Sequence, residues 1–441
     1  MATTKSPRVL MTATAVAASL ALTLSACGSS GRSSGGGAGD GALVWALTQG
    51  SEATFRASAT EWNKAHPDSK VDYQFFQNDP YKQKLRTAVG AGNGPVLFEN
   101  WGGGALKDYV DAGKVADLTP DLDKNPEWKN RIFPSVLKAA TVDGKVYGVP
   151  VNGVQPVVLY FNKDLFAKAG AQPPKTWEDL LALVKKFKAE GVAPISMGGA
   201  SKWPDLMWLE YLVDRVGGPE VFANIAAGKK GAWSDPAVLK AAQMIRQLVD
   251  AGGFAKGFTS VTADAGQAEA QMYTGKAAMI LQGGWAYSTI VSGAPKFVAE
   301  GKLGWSGFPA VAGGKGDASN IVGNPANFYS LSAQASAKEK KTAVSYLKDG
   351  VYNDNYVDNL LKNGDVPPVK DLDAKIKATE NPDWLTYAYH LTQNAESFQL
   401  SWDQAVSPQL GQELLTHLDQ LFLGEISPQQ FCSQMDKAAT Q

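Results

Sequence analysis

Cysteine is almost absent from this chain of 441 residues, in which only Cys27 and Cys432 occur. Two cysteines cannot build the disulfide framework that stabilises small secreted domains. Histidine is nearly as scarce, and the three histidines are scattered without the spacing of metal ligands. The sequence therefore predicts neither a disulfide-rich scaffold nor a histidine-based metal site, and we expect Cys432 to be a buried core residue.

The chain also lacks an excess of charge, since its formal net charge is −1 at pH 7. No basic surface for nucleic acid is indicated, and no glycine-rich phosphate loop with its lysine occurs. No apolar run reaches the roughly 20 residues that a transmembrane helix needs. Residues 31–35 match the G-x-S-x-G pattern of a nucleophile elbow, but they lie in a polar linker and not between a strand and a helix. We interpret that match as chance and predict no cofactor.

What the sequence does contain begins with an export signal in residues 1–27. Lys5 and Arg8 precede a short apolar segment, residues 11–24. The following cysteine is preceded by Leu-Ser-Ala, and LSAC resembles the bacterial lipobox. The resemblance implies a diacylglycerol thioether on Cys27 and cleavage that makes it the mature N-terminus; an ordinary signal peptide with a chance cysteine is the alternative. Residues 28–41 are rich in Gly and Ser and predict a flexible tether.

Strand and helix patterns alternate after residue 41. The runs ALVWAL, KVDYQFF and PVLFEN are each followed by a helical pattern, which predicts an α/β domain with a largely parallel sheet. The clearest helix is PPKTWEDLLALVKKFKAEG, in which Thr176 and Asp179 are spaced for a capping box. Helical patterns then dominate through residue 249, strands return near GKAAMILQGGWA, and the last hundred residues are mainly helical. This order predicts two lobes between which the chain crosses more than once.

Several segments resemble one family, the bacterial extracellular solute-binding proteins of carbohydrate ABC importers. They are KVYGVPV, VVLYFNKDLFAKAG, the helix above, FYSLSA and, most specifically, GKAAMILQGGWA. The resemblance runs from about residue 42 to the end. It implies a two-lobed, type II periplasmic-binding-protein-like α/β fold, each lobe having a central sheet flanked by helices, and closure of the hinged lobes on a sugar. The predicted lobes are residues 42–152 with 302–350, and residues 153–301 with 351–441.

Sugar chemistry selects the candidate binding residues. An aromatic ring covers the C–H face of a sugar, and Asn, Asp, Gln and Glu side chains bind the hydroxyls. In α/β sheets such residues belong in loops that follow strands. The candidates are Glu52, Asn78, Asn100, Trp101, Trp203, Asp205, Trp285, Asn327, Asp403 and Gln404.

The reasons differ among these candidates. Glu52 and Asn78 follow the first two predicted strands. Asn100 and Trp101 follow the third and precede a Gly-Gly-Gly segment, which is either a tight turn or a source of backbone contacts to a ligand. The segment SKWPDLMW is expected to place Trp203 and Asp205 in a loop, with Trp208 in the core. The family resemblance implies stacking at Trp285 and a C-terminal site segment at Asp403-Gln404, whereas Asn327 lies before FYSLS. For the aromatic candidates the alternative is a Trp in the core, and for the polar ones a solvated loop side chain. Here VGNPAN replaces the Gly-Gly that the family often has before this strand, so local contacts there are expected to differ.

The resemblance also implies partners and a location. These are an oligosaccharide ligand, the membrane permease of an ABC importer, and the outer face of the cell membrane, reached through the lipid anchor; the protein is expected to be a monomer and not an enzyme. The run FENWGGGALKDYVDAGKVADLTPDL is similar to the branch that binds plant-derived oligosaccharides, which favours xylobiose or xylo-oligosaccharides, with raffinose-type and chitobiose-type sugars still open. Two alternatives are a cell-surface glycoside hydrolase with paired carboxylates and a receptor for a quaternary amine held by aromatic rings.

Overall fold

Two mixed β-sheets with helices on their faces form the framework of the protein. We describe it from a computed structural model, which covers residues 41–48, 50–380 and 382–440. The strands are β1 (Ala42–Leu47), β2 (Val71–Phe76), β3 (Leu97–Asn100), β4 (Thr141–Val142), β5 (Lys145–Val146), β6 (Val149–Pro150), β7 (Gln155–Asn162), β8 (Ala193–Ser196), β9 (Ala277–Gly283), β10 (Leu303–Ser306), β11 (Ile321–Asn324), β12 (Phe328–Leu331) and β13 (Phe398–Leu400).

Helices connect these strands and cover both faces of the sheets. They are α1 (Glu52–Ala65), α2 (Asn78–Gly90), α3 (Gly103–Asp111), α4 (Thr119–Lys124), α5 (Pro126–Arg131), α6 (Pro134–Ala139), α7 (Lys163–Lys168), α8 (Trp177–Ala189), α9 (Trp203–Gly217), α10 (Pro219–Ala226), α11 (Pro236–Asp250), α12 (Gln267–Tyr273), α13 (Trp285–Gly293), α14 (Pro295–Ala299), α15 (Ala337–Asp349), α16 (Asp354–Lys362), α17 (Asp373–Lys377), α18 (Pro382–Asn394), α19 (Trp402–Ala405), α20 (Pro408–Leu423) and α21 (Pro428–Ala438).

The first sheet has the strand order β2-β1-β3-β12-β6. Strand β1 runs parallel to β2 and β3, as predicted, but β12 is antiparallel to β3 and to β6. Successive side chains of β1 point to opposite faces of the sheet, so the strand contributes residues to two hydrophobic cores. Val44 packs on the face that α1, α15 and α16 cover, and Trp45 packs on the opposite face against Tyr81 and Leu85 of α2.

The second sheet has the order β13-β11-β7-β9-β8, and β10 also pairs with β7. Every residue of the central strand β7 is buried, as expected for a strand covered on both faces. One hydrophobic core on this sheet contains residues of α8, α9, α11, α20 and α21. Cys432 belongs to this core, where burial raises the pKa of its thiol to about 11, so it is a buried core residue as expected.

Short segments link the two sheets: residues 151–154 between β6 and β7, and residues 325–327 between β11 and β12. A backbone bridge between Val154 and Val366 adds a third segment beside them. Hinge motion requires connections of this kind, in which a few residues absorb the change in backbone angles. The fold is therefore two-lobed α/β, as predicted.

The strand pairing differs from the predicted lobe boundaries in two places. Strands β10 and β11, which the boundaries assign to the first lobe, hydrogen-bond to β7 of the second sheet. Helix α16, assigned to the second lobe, packs on α1, and its Tyr356 is buried in the core of the first sheet. Sequence patterns identify strands and helices but not their long-range partners, which accounts for both differences. The signal peptide, Cys27 and nearly all of the tether lie outside the described residues.

Local signals in the sequence are reproduced where the predicted chemistry is strong. The capping box of α8 is present: the Asp179 backbone N–H donates to Thr176 Oγ1 at 3.1 Å, and the Thr176 N–H donates to Asp179 Oδ2 at 3.0 Å. The helical pattern predicted after KVDYQFF is α2, which begins at Asn78. The predicted loop at Trp203 and Asp205 is wrong, because both residues belong to the first turn of α9.

Candidate functional site

A cleft of about 690 Å³ is lined by residues of both sheets and of the segments that link them. The lining combines indole rings, side-chain amides, carboxyl groups and one ammonium group. Its residues are Leu47, Gly50, Ser51, Asn78, Lys82, Glu99, Trp101, Asn152, Gln155, Trp203, Met207, Trp285, Asn324, Asn327, Asp365, Ser401, Asp403 and Gln404.

Indole rings form the apolar part of the cleft. Trp203 and Trp285 each begin a helix, and their ring centroids lie 5.8 Å apart with the planes at 62°. The Trp285 ring lies directly over Gly283, where an added Cβ would come within 2.0 Å of Cζ3, so only glycine fits beneath it. Trp101 follows β3, and the ammonium group of Lys82 lies 5.1 Å from its ring centroid. Flat apolar surfaces of this kind can stack on the C–H face of a sugar.

Two asparagines supply unpaired hydrogen-bond acceptors: Asn324, the last residue of β11, and Asn327 on the second linking segment. Asn327 donates its backbone N–H to Asn152 Oδ1 at 2.7 Å and its side-chain amide to Glu99 Oε1 at 2.7 Å. Its own Oδ1 and that of Asn324 are buried and find no donor in the described part of the chain. A buried polar group without a partner costs about 1–3 kcal/mol, so a ligand hydroxyl that donates here would remove that cost.

Buried carboxyl groups line the same region. Glu99, at the end of β3, accepts the Leu47 backbone N–H at 2.8 Å in addition to the Asn327 amide. Burial raises the pKa of Glu99 to about 7, although both hydrogen bonds act in the opposite direction. Burial also raises the pKa of Asp365 to about 7, against the effect of its hydrogen bond from Ser51 Oγ at 3.0 Å. Both groups can therefore change protonation near neutral pH.

Helix α9 positions the C-terminal site segment, Asp403-Gln404. Buried Glu210 accepts the backbone N–H of Trp402 at 2.7 Å and the Ser401 hydroxyl at 3.1 Å. This arrangement turns Asp403 and Gln404 into the cleft, where the Gln404 amide donates to Asp403 Oδ2 at 2.6 Å.

The Gly-Gly-Gly turn brings this segment against α3. A Cβ at Gly103 would lie 2.5 Å from the Gln404 carbonyl oxygen, and one at Gly104 would lie 2.1 Å from that of Val406. Larger residues would therefore force the two segments apart. The turn serves close backbone packing, and its glycines are not among the cleft-lining residues.

Helix α2 contacts the opposite side of the cleft through Asp79. Its carboxylate accepts the Ser201 hydroxyl at 2.6 Å and the Trp203 indole N–H at 3.2 Å. The neighbouring Asn78 amide also donates to this carboxylate, at 2.9 Å. These contacts fix the edge of the Trp203 ring while leaving the ring partly exposed.

The structure brings together most of the predicted site residues. Seven of them line the cleft: Asn78, Trp101, Trp203, Trp285, Asn327, Asp403 and Gln404. Their role in binding stays a prediction.

Three predicted residues are placed elsewhere. The Asn100 amide donates to the Phe328 carbonyl and to Ser330 Oγ, so Asn100 ties β3 to β12 and borders an adjoining cavity instead. Glu52 forms an ion pair with Arg56 one helical turn away and lines neither cavity. Asp205 is 1% exposed, and both of its carboxyl oxygens lack a hydrogen-bond donor within the described residues. In a helix, unlike a loop, its side chain points into the core.

The structure adds cleft residues that the sequence reasoning missed, chiefly Glu99, Asn152, Gln155, Asn324 and Asp365. A signal existed for two of them. Glu99 directly precedes Asn100, and alternation along the strand puts neighbours on opposite faces. Asn324 shares the VGNPAN segment with Asn327. The others depend on the linking segments, whose positions follow only from the folded chain.

In the described ranges, no group of three or more His, Cys, Asp or Glu residues is arranged to hold a metal ion. Over the same residues, no helix combines the length and the apolar character needed to cross a membrane.

Residues 45–348 match the profile of a protein family described as bacterial extracellular solute-binding protein. The chain belongs to this family. Because the family consists of binding proteins, membership agrees with the prediction that this solute-binding protein is not an enzyme.

Individual relatives are more distant. An uncharacterized ABC transporter extracellular-binding protein of Pyrococcus horikoshii is 29% identical over 248 residues. That alignment covers 55% of this chain and 54% of the relative, so the chain matches about half the length of this curated relative.

Solved structures match over nearly the whole chain. A protein from a study of xylan utilization by the thermophilic bacterium Caldanaerobius polysaccharolyticus superposes with a TM-score of 0.80 at 28% identity, covering 90% of this chain and 99% of that one. A chitin oligosaccharide binding protein gives a TM-score of 0.80 at 27% identity, with 91% and 99% covered.

Proposed function

We propose that this solute-binding protein captures a short oligosaccharide in the cleft and delivers it to the permease of an ABC importer. One observation carries the proposal: the indoles of Trp203 and Trp285 line the same cleft as Asn324 and Asn327, whose amide oxygens are unpaired among the described residues. Apolar faces next to hydrogen-bond acceptors match the C–H face and hydroxyl rim of a sugar ring.

The comparisons support a sugar as the ligand. Of the two solved structures described above, one is a chitin oligosaccharide binding protein and the other comes from a study of xylan utilization. We propose xylobiose or a xylo-oligosaccharide as the first ligand to test, with chitobiose-type and raffinose-type sugars next. Capture would proceed by closure of the lobes about the short linking segments, which enclose the bound sugar.

We further propose that the protein is held at the outer face of the cell membrane by lipid on Cys27. The LSAC segment and the Gly/Ser-rich stretch after it support this proposal. Mass spectrometry of the membrane-extracted protein tests the anchor: a diacylglycerol-modified N-terminal cysteine is expected, and an intact or unmodified N-terminus would contradict it.

Isothermal titration calorimetry on the purified protein tests the sugar ligand. The panel contains xylose, xylobiose, xylotriose, chitobiose, chitotriose and raffinose, together with betaine and choline for the quaternary-amine alternative. Saturable binding of at least one di- or trisaccharide is expected. Binding of betaine or choline alone, or of nothing in the panel, would refute the proposal. Chromatography of the incubated sugar for shorter products separates binding from hydrolysis.

A further inference from the structure

A second cavity of about 1,220 Å³ adjoins the cleft. The two spaces have a common wall, to which Lys82, Trp101, Trp203, Asp403 and Gln404 contribute side chains on both sides. The second space is the larger of the two.

The common wall contains a contact that can open. The Lys82 ammonium group lies 3.3 Å from Asp403 Oδ2, and the Lys82 and Asp403 side chains are 28% and 7% exposed. Lys82 is the more exposed partner and has a flexible side chain, so it can move toward solvent, and Asp403 then keeps the hydrogen bond that it accepts from the Gln404 amide. The indole rings of Trp101 and Trp203 line both spaces.

The second cavity combines aromatic rings and side-chain amides, as the cleft does, with the additional charged side chains of Asp79, Arg86 and Lys202. Besides the two shared indoles, it has the aromatic ring of Tyr109 from α3 and the amides of Gln83 from α2 and Gln412 from α20. Both glutamines are exposed, so their amides can turn toward a bound ligand. A further sugar unit offers hydroxyls to the amides and a C–H face to the rings.

We infer that the bound oligosaccharide continues past the Lys82–Asp403 contact into the second cavity, so that the preferred substrates are oligosaccharides longer than a disaccharide. This inference rests on the proposed function, since it specifies the length of the sugar that the cleft takes. The units beyond the contact are held by the wall of α2, α3 and α20.

Filling the second cavity without touching the cleft tests the inference. Gln412 and Gln409 are both exposed residues of α20, but only Gln412 lines the second cavity, and Gln409 lines neither space. Gln412→Trp puts an indole into the second cavity, and Gln409→Trp is the matched control. Calorimetry compares xylobiose with xylotetraose, and chitobiose with chitotetraose, on the wild-type protein and both variants; thermal unfolding verifies that each variant is folded.

The wild-type protein is expected to bind the tetrasaccharide of one series at least 10-fold more tightly than the disaccharide. Gln412→Trp should abolish most of this gain while leaving disaccharide affinity within about twofold, and Gln409→Trp should preserve the gain. Equal affinities of the wild type for both lengths, or equal behaviour of the two variants, would overturn the inference and leave the proposed function intact. Failure of every saccharide to bind would instead refute the proposed function and this inference with it.

Discussion

The indole rings of Trp203 and Trp285 meet edge to face, 5.8 Å apart at 62°, at the first residues of two different helices. One ring is tied through its N–H to Asp79, and the other packs against Gly283. Under the proposed function, these two rings are the surfaces on which a sugar ring stacks. The position of each ring is thus set by the protein before any ligand arrives.

Removing either ring should weaken sugar binding without unfolding the protein. Trp203→Ala and Trp285→Ala are each expected to cost about 1–3 kcal/mol of binding free energy, by analogy with bases that stack on aromatic side chains. That range corresponds to roughly 5- to 150-fold in Kd, measured by calorimetry. Trp305→Ala is the control, because Trp305 is also partly exposed but lines neither cavity; unchanged affinity in the cleft variants would contradict stacking.

Asn324 and Asn327 should respond differently to truncation. Asn324→Ala removes a buried acceptor that has no donor among the described residues, so sugar affinity should fall about 10-fold while the free energy of unfolding does not decrease. Asn327→Ala also breaks the 2.7 Å hydrogen bond to Glu99 and should destabilise the free protein by about 1–3 kcal/mol.

Urea unfolding of both variants, combined with calorimetry, separates the two effects. A loss of stability in Asn324→Ala equal to that in Asn327→Ala would show that the Asn324 amide is already paired in the free protein.

The stability of the free protein should decrease as the pH rises from about 5 to 7.5. Burial raises the pKa values of Glu99, Asp365 and Glu269 to about 7 in the folded state. At pH values above the range in which unperturbed carboxyl groups titrate and below 7, the folded chain therefore binds more protons than the unfolded chain. Protonation stabilises the folded state there, and this stabilisation is lost as the pH rises through 7.

Urea unfolding across this pH range should show a decrease of at least about 1 kcal/mol, since one unit of pKa shift corresponds to about 1.4 kcal/mol. Glu99→Gln is expected to reduce the slope because it removes one of the titrating groups. A stability that increases with pH over this range would contradict the assignment.

The sequence predicts that Glu52 and Asp205 bind ligand, whereas the positions of their side chains in the structure indicate that they do not. Glu52→Ala loses an exposed ion pair with Arg56, and Asp205→Asn replaces a buried carboxyl whose pKa burial raises well above its ordinary value. Both variants should keep sugar affinity within about threefold of the wild type. At neutral pH Asp205→Asn should also raise the melting temperature, because an amide can stay buried without taking up a proton. A large loss of affinity in either variant would restore that residue to the site.

The sequence predicted what depends on local patterns and missed what depends on long-range pairing. The capping box of α8 and the strands that end at Asn100 and Gly283 follow from neighbouring residues alone. Strands β10 and β11 pair with the second sheet, and Asn152 and Gln155 face the cleft, because of contacts between segments that are far apart in the chain. The position of Asp205 was missed for a different, local reason: SKWPDLMW was expected to form a loop, whereas Pro204 is well suited to the first turn of a helix and α9 begins at Trp203.

A crystal structure of the protein with its tightest-binding oligosaccharide tests the central claim most directly. We predict a sugar ring stacked on Trp203 or Trp285, with hydroxyls donating to Oδ1 of Asn324 and Asn327. A ligand bound away from these indoles, with both amide oxygens still unpaired, would contradict the account.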